Sequence, residues 1–355
     1  MSGALSSEML STSLLDLGWT GVAVKQIVAL KGDASSRRYY RVSLEGGAEA
    51  VPASIIVMQL PAMDVKAEEV SSGPVPSELP FIDVTRLMQK RGLPVPQLVH
   101  INKAEGLLLL EDLGDTTLEA QLSKSPRDQW ATIYKEVITL LLRMHDKLRE
   151  ADSGSIAYQR SFSPELLHWE LEHFREWGLE ALHGPLPPPA KETFDAISRQ
   201  IVDRISQIPQ GFCHRDYQSR NLMHCPDREP EPWVILDFQD ALLGPRVYDL
   251  VALLADSYIP LTMDEQLSLL KEATGQLGLD AIAAKCYEED FWWMCVQRKL
   301  KDAGRFIFID RVKKNPTFLP YYEPSLTKVK AALTQIPELA KLEQFLQKYL
   351  PNYPR

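Results

Sequence analysis

The sequence predicts an α+β protein in two lobes: a small antiparallel sheet carrying one helix, then a larger, mainly helical lobe. Three observations carry this. Near the N-terminus, three short strand-like segments (24–30, 38–44 and 53–60), the second alternating apolar and polar residues, follow one another through turns. The run Glu111-Asp-Leu-Gly114 breaks that pattern. Beyond it the apolar residues recur with helical spacing, beginning with 127–148. The boundary is set there, giving an N-lobe of residues 1–112 and a C-lobe of residues 113–355.

In order, residues 7–17 have the spacing of a short amphipathic helix. The strand 24–30 leads into the turn 31–36, and the tyrosine-rich strand 38–44 follows. Gly46-Gly47 makes a turn into the strand 53–60, with Ile55-Ile-Val57 at its heart. Residues 61–80 combine prolines, glycine and mixed charge, and read as a loop. A helix over 81–90 puts Phe81, Val84, Leu87 and Met88 on one stripe. Strands are expected at 95–101 and 107–110. In the C-lobe, Ser163-Pro164-Glu165 starts a helix with serine as N-cap and proline in the first turn. Pro187-Pro-Pro189 is a rigid break before the helix 190–205. A short apolar helix covers 248–257, and Thr262-Met-Asp-Glu265 has capping-box spacing for the next. Helices over 288–311, 325–333 and 337–349 complete the chain.

With 355 residues, each lobe has enough chain for a core of its own. Hydrophobic residues are 45% and charged residues 25%, the balance of a globular protein. The net charge of −9 argues against a nucleic-acid backbone as the main partner. No apolar run reaches the length of a membrane span, and the N-terminus lacks the basic and apolar regions of a signal peptide. Cys213, Cys225, Cys286 and Cys295 form no Cys-x-x-Cys pair, so neither a zinc site nor a disulfide framework is expected. The expectation is a cytoplasmic monomer acting on a small molecule, with no nucleic-acid or membrane partner.

The chemistry concentrates in two stretches. His214-Arg-Asp216 is followed after four residues by Asn221, and a short apolar strand then ends in Asp237-Phe-Gln239. Phosphoryl transfer needs this set. One aspartate takes or orients the proton of the acceptor hydroxyl, while an asparagine and a second aspartate hold metal ions bridging the ATP phosphates. The protein-kinase signature has the same H-R-D, x4, N spacing, then D-F-G. Gln239 stands where that glycine would be, so an ordinary protein kinase is not expected. With a sheet, a hinge and a helical lobe, the plan is protein-kinase-like, with ATP expected in the cleft between lobes.

The chain resembles the aminoglycoside phosphotransferase and choline kinase superfamily of small-molecule kinases. His214-x-Asp216-x4-Asn221 resembles its catalytic loop, Leu236-Asp237-Phe-Gln-Asp240 its metal strand, and Gly244-Pro-Arg-Val-Tyr-Asp249-Leu the element that follows. More narrowly it is similar to bacterial anomeric kinases of N-acetylmuramic acid and N-acetylglucosamine that act in cell-wall recycling. The stretches behind that are Gly32-Asp-Ala-Ser-Ser-Arg-Arg-Tyr-Tyr-Arg41, Leu79-Pro-Phe-Ile, Leu107 to Gly114, His214 to Met223 and Gln297-Arg-Lys-Leu-Lys-Asp-Ala-Gly304. The resemblance implies ATP and Mg2+ as cofactors and transfer to the anomeric hydroxyl of an amino sugar. Other small-molecule kinases of the aminoglycoside, choline or homoserine type remain alternatives, as does a nucleotide-binding module without turnover.

Roles follow residue by residue. Asp216 is the expected catalytic base, and Asn221 and Asp237 the expected Mg2+ ligands. Gly32, Ser35, Ser36 and Arg37 are expected around the ATP phosphates. The backbone at Glu111 and Leu113 is expected to meet adenine. Gln218 reaches a sugar hydroxyl or the N-acetyl group, or braces the loop. Asp240 holds a metal or a substrate hydroxyl, or is a solvated turn residue. Trp293, Gln297 and Lys301 share one helix face, as do Arg298, Lys301 and Arg305, and polar groups beside an indole suit a sugar, unless the tryptophan is core and the cations are solvated surface. His214 and Asp249 are structural, Asp249 as a brace for the catalytic loop or as an N-cap. The third strand should carry a lysine for the phosphates, but Met58 and Gln59 stand there, so Arg37, Arg38 or Lys66 is expected to compensate. Glu78 and Asp83 are candidates for that lysine's acidic partner.

Overall fold

The computed structural model describes residues 5–30, 37–60 and 78–354. The expectations placed on Gly32, Ser35, Ser36 and Lys66 lie outside the described residues. By contact the chain divides into two compact units, Met1–Ser77 with Pro94–Asp115, and Glu78–Leu93 with Thr116–Arg355.

The first unit is one antiparallel sheet under a short helix. Helix α1 (Ser7–Asp16) starts at Ser6, whose hydroxyl accepts from the Met9 N–H. The strands are β1 (Val22–Ala29), β2 (Arg38–Gly46), β3 (Ser54–Gln59), β4 (Leu98–Asn102) and β5 (Leu107–Glu111), in the order β1-β2-β3-β5-β4. Alternation puts Tyr40, Val42, Leu44, Ile55, Val57, Leu107 and Leu109 in one core with Leu10 and Leu14 of α1. Asn102 ties the far strand to the helix by donating to the Ser13 hydroxyl at 2.9 Å. Strand β4 begins later than the expected 95. Pro96 has no N–H to give a ladder, which accounts for the delay.

Helix α2 (Pro80–Lys90) groups with the second unit, although it follows the sheet in sequence and the expected boundary kept it there. Its Phe81 stacks on Phe238 with ring centroids 5.3 Å apart. Asp83 accepts from the Ser155 hydroxyl at 2.6 Å and the Ile156 N–H at 3.0 Å. Those contacts belong to the helical unit, so burial of the apolar stripe, and not chain order, decides where α2 packs.

The rest of this unit comprises α3 (Leu118–Lys124), α4 (Trp130–Lys147), α5 (Pro164–His173), a π-helical turn Phe174–Glu180 ending in α6 (Ala181–His183), and α7 (Pro188–Ile205). Short strands β6 (Gln210–Cys213), β7 (Leu222–His224), β8 (Trp233–Ile235) and β9 (Leu242–Pro245) pair as β6–β9 and β7–β8. Helices α8 (Tyr248–Leu254), α9 (Met263–Gln276), α10 (Ala281–Arg311), α11 (Tyr322–Leu333) and α12 (Ala340–Tyr349) follow. The capping box expected at Thr262 and Glu265 is present. Helix α10 starts earlier than the expected 288, because Asp280 caps it by accepting from the Ile282 and Ala283 N–H groups. It is the buried axis of the unit. Gly304 permits this: a Cβ there would lie 2.7 Å from the Phe174 Cα, so only glycine lets α10 approach the π-helical turn. No helix among the described residues is long and apolar enough to cross a membrane.

Candidate active site

The site is built on the two short ladders. Strand β6 pairs with β9, Cys213 opposite Leu242, and delivers His214-Arg-Asp216 at its end. Strands β7 and β8 pair Leu222 with Ile235, which sets Asn221 beside the residues leading to Asp237. The Leu236 N–H donates to the Asn221 carbonyl at 2.8 Å.

Buried Asp249 at the start of α8 organises the first corner. Its carboxylate accepts the His214 N–H at 2.8 Å, the Arg215 N–H at 2.9 Å and His145 Nε2 at 3.0 Å. This favours the bracing role expected for Asp249 over that of a plain N-cap. Arg215 has φ 77°, a left-handed backbone that is uncommon outside glycine. Such a conformation costs about 1–3 kcal/mol and persists only where the surroundings over-determine it. Here Asp249 holds the Arg215 N–H and Arg298 Nη1 donates to its carbonyl at 2.7 Å. The next residue, Asp216, presents a side chain that is 35% exposed, with Arg298 Nη2 at 3.6 Å from its Oδ1. Its N–H donates to His214 Nδ1 at 3.2 Å, and its carbonyl accepts from the Gln218 N–H and from Asn221 Nδ2.

Asn221 and Asp237 come together as the sequence expects. Asn221 Nδ2 lies 3.4 Å from Asp237 Oδ2. Asp237 is also left-handed, with φ 63°. Gln239, where the kinase signature has glycine, donates from Nε2 to Asp237 Oδ1 at 2.7 Å and to Asp240 Oδ2 at 3.4 Å. Sequence reasoning treated Gln239 only as a departure; it braces the carboxylate two residues before it. Among the described residues no group of three or more His, Cys, Asp or Glu could cage a metal. The exposed Asp237 carboxylate, with the nitrogen side of the Asn221 amide turned to it, suits a hard divalent cation that takes few protein oxygens and keeps positions for phosphate and water.

Titration properties separate the corner. Burial pushes the Asp249 carboxyl up, but the His145 bond and charge, His214 and the loop N–H outweigh it, so it lies below its ordinary value. Burial lowers the His214 imidazole, against the pull of Asp249 and Asp216 in the other direction. With its folded value depressed, neutral His214 contributes stability that is complete above about pH 6.5 and lost as the pH falls through the lowered value. The thermal midpoint should therefore fall more between pH 7 and pH 5 in the wild type than in His214→Gln. Parallel curves would remove His214 from the acid response.

Several residues expected to meet the substrate are enclosed in the core. Arg298 is 2% exposed and its guanidinium also lies 4.6 Å over the Tyr248 ring, so it braces the loop and offers no face to a sugar. Burial would lower its pKa, but Tyr248, Asp302, Asp216 and Asp249 raise it. Lys301 is buried with Nζ 3.6 Å from Asp302. Trp293 is buried, and Gln297 is fully buried and donates to Glu170 at 2.7 Å. The stripe expected to meet a sugar is thus core. Gln218 stays half-buried in the loop and Asp240 half-buried in the turn after β8.

In the first unit, Gln59 is buried, with the Tyr40 hydroxyl 3.4 Å from its Oε1. Arg38 stands opposite Gln59 in the ladder and Tyr39 opposite Met58. Arg37 precedes β2, half-buried. Of the acidic candidates, Glu78 pairs with Arg86 at 2.6 Å and Asp83 holds Ser155. The Glu111 N–H donates to the Gln97 carbonyl, and its carboxylate accepts the Gln97 N–H. Leu113 is half-buried beside Asp112, a residue of the expected hinge to whose side chain sequence reasoning assigned no role. Asp112 accepts from Ser54 at 2.7 Å, from Arg41 at 3.0 Å and from the Gly114 N–H at 3.0 Å. Burial raises that carboxyl, but these donors outweigh it and hold it below its ordinary value.

The family model described as "Phosphotransferase enzyme family" matches residues 26–283. The chain is similar to an N-acetylmuramate/N-acetylglucosamine kinase of Pseudomonas aeruginosa, 29% identical over 339 residues covering 93% of this chain and 90% of that one. A kinase of the same name from Caulobacter vibrioides is 27% identical over 370 residues, 98% of each chain. Among solved structures, the GDP complex of wild-type aminoglycoside 2'-phosphotransferase-IIIa has a TM-score of 0.60 at 13% identity, covering 93% of this chain and 98% of that one. Choline kinase from Cryptosporidium parvum Iowa II has a TM-score of 0.59 at 12% identity, covering 94% and 92%. At these identities the structural likeness shows the fold, and it is the kinase-like α+β fold expected from the sequence.

Proposed function

The chain belongs to the phosphotransferase enzyme family, and on that premise we propose that it transfers the γ-phosphoryl group of ATP to the anomeric hydroxyl of N-acetylmuramic acid or N-acetylglucosamine. The observation that carries the substrate is the match of more than nine-tenths of this chain to kinases named for those sugars in Pseudomonas aeruginosa and Caulobacter vibrioides. The chemistry is supported by the approach of Asp216, Asn221 and Asp237 in one loop-and-strand corner.

On this reading the O1–H of the sugar lies against the exposed Asp216 carboxylate, which orients it. A new O1–P bond forms while the bond between the γ-phosphorus and the β–γ bridging oxygen breaks. The sugar proton passes to Asp216 late, ADP leaves, and the product is the sugar 1-phosphate. An anomeric hydroxyl is more acidic than an ordinary alcohol, so a weak base suffices. Arg298 keeps Asp216 and the Arg215 peptide in place. Asn221 and Asp237 are the residues that would hold Mg2+, which when bound neutralises phosphate charge. A cytoplasmic enzyme of cell-wall sugar recycling fits these substrates.

The test is ADP release with MgATP and a panel of N-acetylmuramate, N-acetylglucosamine, choline, homoserine and an aminoglycoside. Turnover is expected only with the N-acetyl amino sugars. Turnover confined to choline or an aminoglycoside would sink the substrate reading and leave the family standing.

A further inference from the structure

We propose that Arg220 is a positioning residue for phosphoryl transfer: its clamp on Glu119, Tyr258 and Tyr321 fixes the turn that presents Asn221. The inference rests on the phosphotransferase reading above and adds a residue to which the catalytic set gives no role.

Arg220 sits between Ser219 and Asn221 in the short 3-10 turn Ser219–Asn221. A turn of that length is weakly held by its own hydrogen bonds. Its neighbours compensate from outside. The Ser219 N–H donates to buried Asp256 at 2.9 Å. From Arg220, Nε and Nη2 donate to the two carboxylate oxygens of Glu119 at 2.8 and 3.1 Å, a bidentate pair on α3. Nη2 also donates to the Tyr321 hydroxyl at 2.7 Å. The guanidinium lies 3.7 Å over the Tyr258 ring, which meets Tyr321 edge-on at 4.6 Å.

An exposed ion pair contributes little, but this one differs in three respects. It is half-buried, it is bidentate, and an aromatic ring covers its face. Two of the guanidinium nitrogens and that face are already engaged, so Arg220 serves the loop more than a substrate. What it controls is the direction of the next residue. The Asn221 amide must meet Asp216 and Asp237 at once, and a misplacement of about 1 Å can cost about 10²-fold in rate.

The experiment compares Arg220→Ala, Arg220→Lys, Glu119→Gln and Tyr321→Phe in the full chain. Steady-state kinetics with both amino sugars are run across a Mg2+ titration. The rise in unfolding midpoint on adding MgATP, against ATP with EDTA, gives a reading that needs no acceptor. Arg220→Ala is expected to lower kcat by about 10–100-fold equally for both sugars, to raise the Mg2+ needed for half-saturation, and to lose most of the Mg2+-dependent midpoint shift. Arg220→Lys should recover only a fraction of this, because an ammonium cannot form the forked pair and the ring stack together. Glu119→Gln and Tyr321→Phe should move the same readings in the same direction by less. Should Arg220→Ala fail to fold, these two milder variants decide: wild-type Mg2+ curves in both would overturn the proposal. So would a loss confined to the KM of N-acetylmuramate, which would make Arg220 a substrate contact. If the wild type turns over neither sugar, the substrate reading fails alone, and the MgATP shift still decides the role of Arg220.

Discussion

Replacing Asp216 by asparagine is expected to lower turnover by about 10²–10⁴-fold while the protein stays folded, the range that general-base assistance supplies. The substitution is nearly isosteric. The backbone of residue 216 keeps its bonds to His214, Gln218 and Asn221. The side chain is 35% exposed, so water can solvate the new amide. Arg298 loses an ion partner at 3.6 Å but keeps the Arg215 carbonyl. The KM for ATP should change little, because the removed group acts on the acceptor hydroxyl. Turnover within a few-fold of wild type, with the far-ultraviolet spectrum and thermal midpoint unchanged, would remove Asp216 from the role of base.

The second large effect is expected at Asp237. Asparagine is the informative substitution, because residue 237 has a left-handed backbone that asparagine tolerates and alanine does not. Asp237→Asn keeps an oxygen for Asn221 or Gln239 and removes the charge. Turnover should fall by about 10²-fold or more, the scale of losing a group that stabilises developing charge. The Mg2+ concentration for half-saturation should rise with it. An unchanged Mg2+ titration would take Asp237 out of the metal site even if turnover fell.

How much was legible depended on whether the signal was local. That Asp216, Asn221 and Asp237 meet in one corner could be read because short spacings and the strand between them bring them there. The sheet could be read because β2 alternates cleanly against one core and β3 is a short, largely buried apolar run beside it. Arg298 was misread for a physical reason. Helix α10 is buried on almost every side, so no apolar stripe marks which face is core, and a buried cation looks like a surface one. Its identity as a brace depends on the Arg215 carbonyl, 83 residues away in sequence. The Arg41–Asp112 pair spans 71 residues and was likewise invisible. The placement of α2 was missed because Phe81 finds Phe238 across the chain, while sequence order favoured the neighbouring sheet. Gln239 could have been found: a glutamine amide two residues from a carboxylate can reach it in a tight turn.

The central claim is that phosphate goes from ATP to the anomeric oxygen of an N-acetyl amino sugar. Phosphorus NMR of the product tests it most directly. Enzyme, ATP and Mg2+ are incubated with N-acetylmuramate, with N-acetylglucosamine, and with each sugar methylated at O1. The account predicts a phosphate signal coupled to the anomeric proton of the free sugars and no reaction of the methylated ones. A phosphorylated O1-methyl sugar would contradict it, because the phosphate would then be on another hydroxyl.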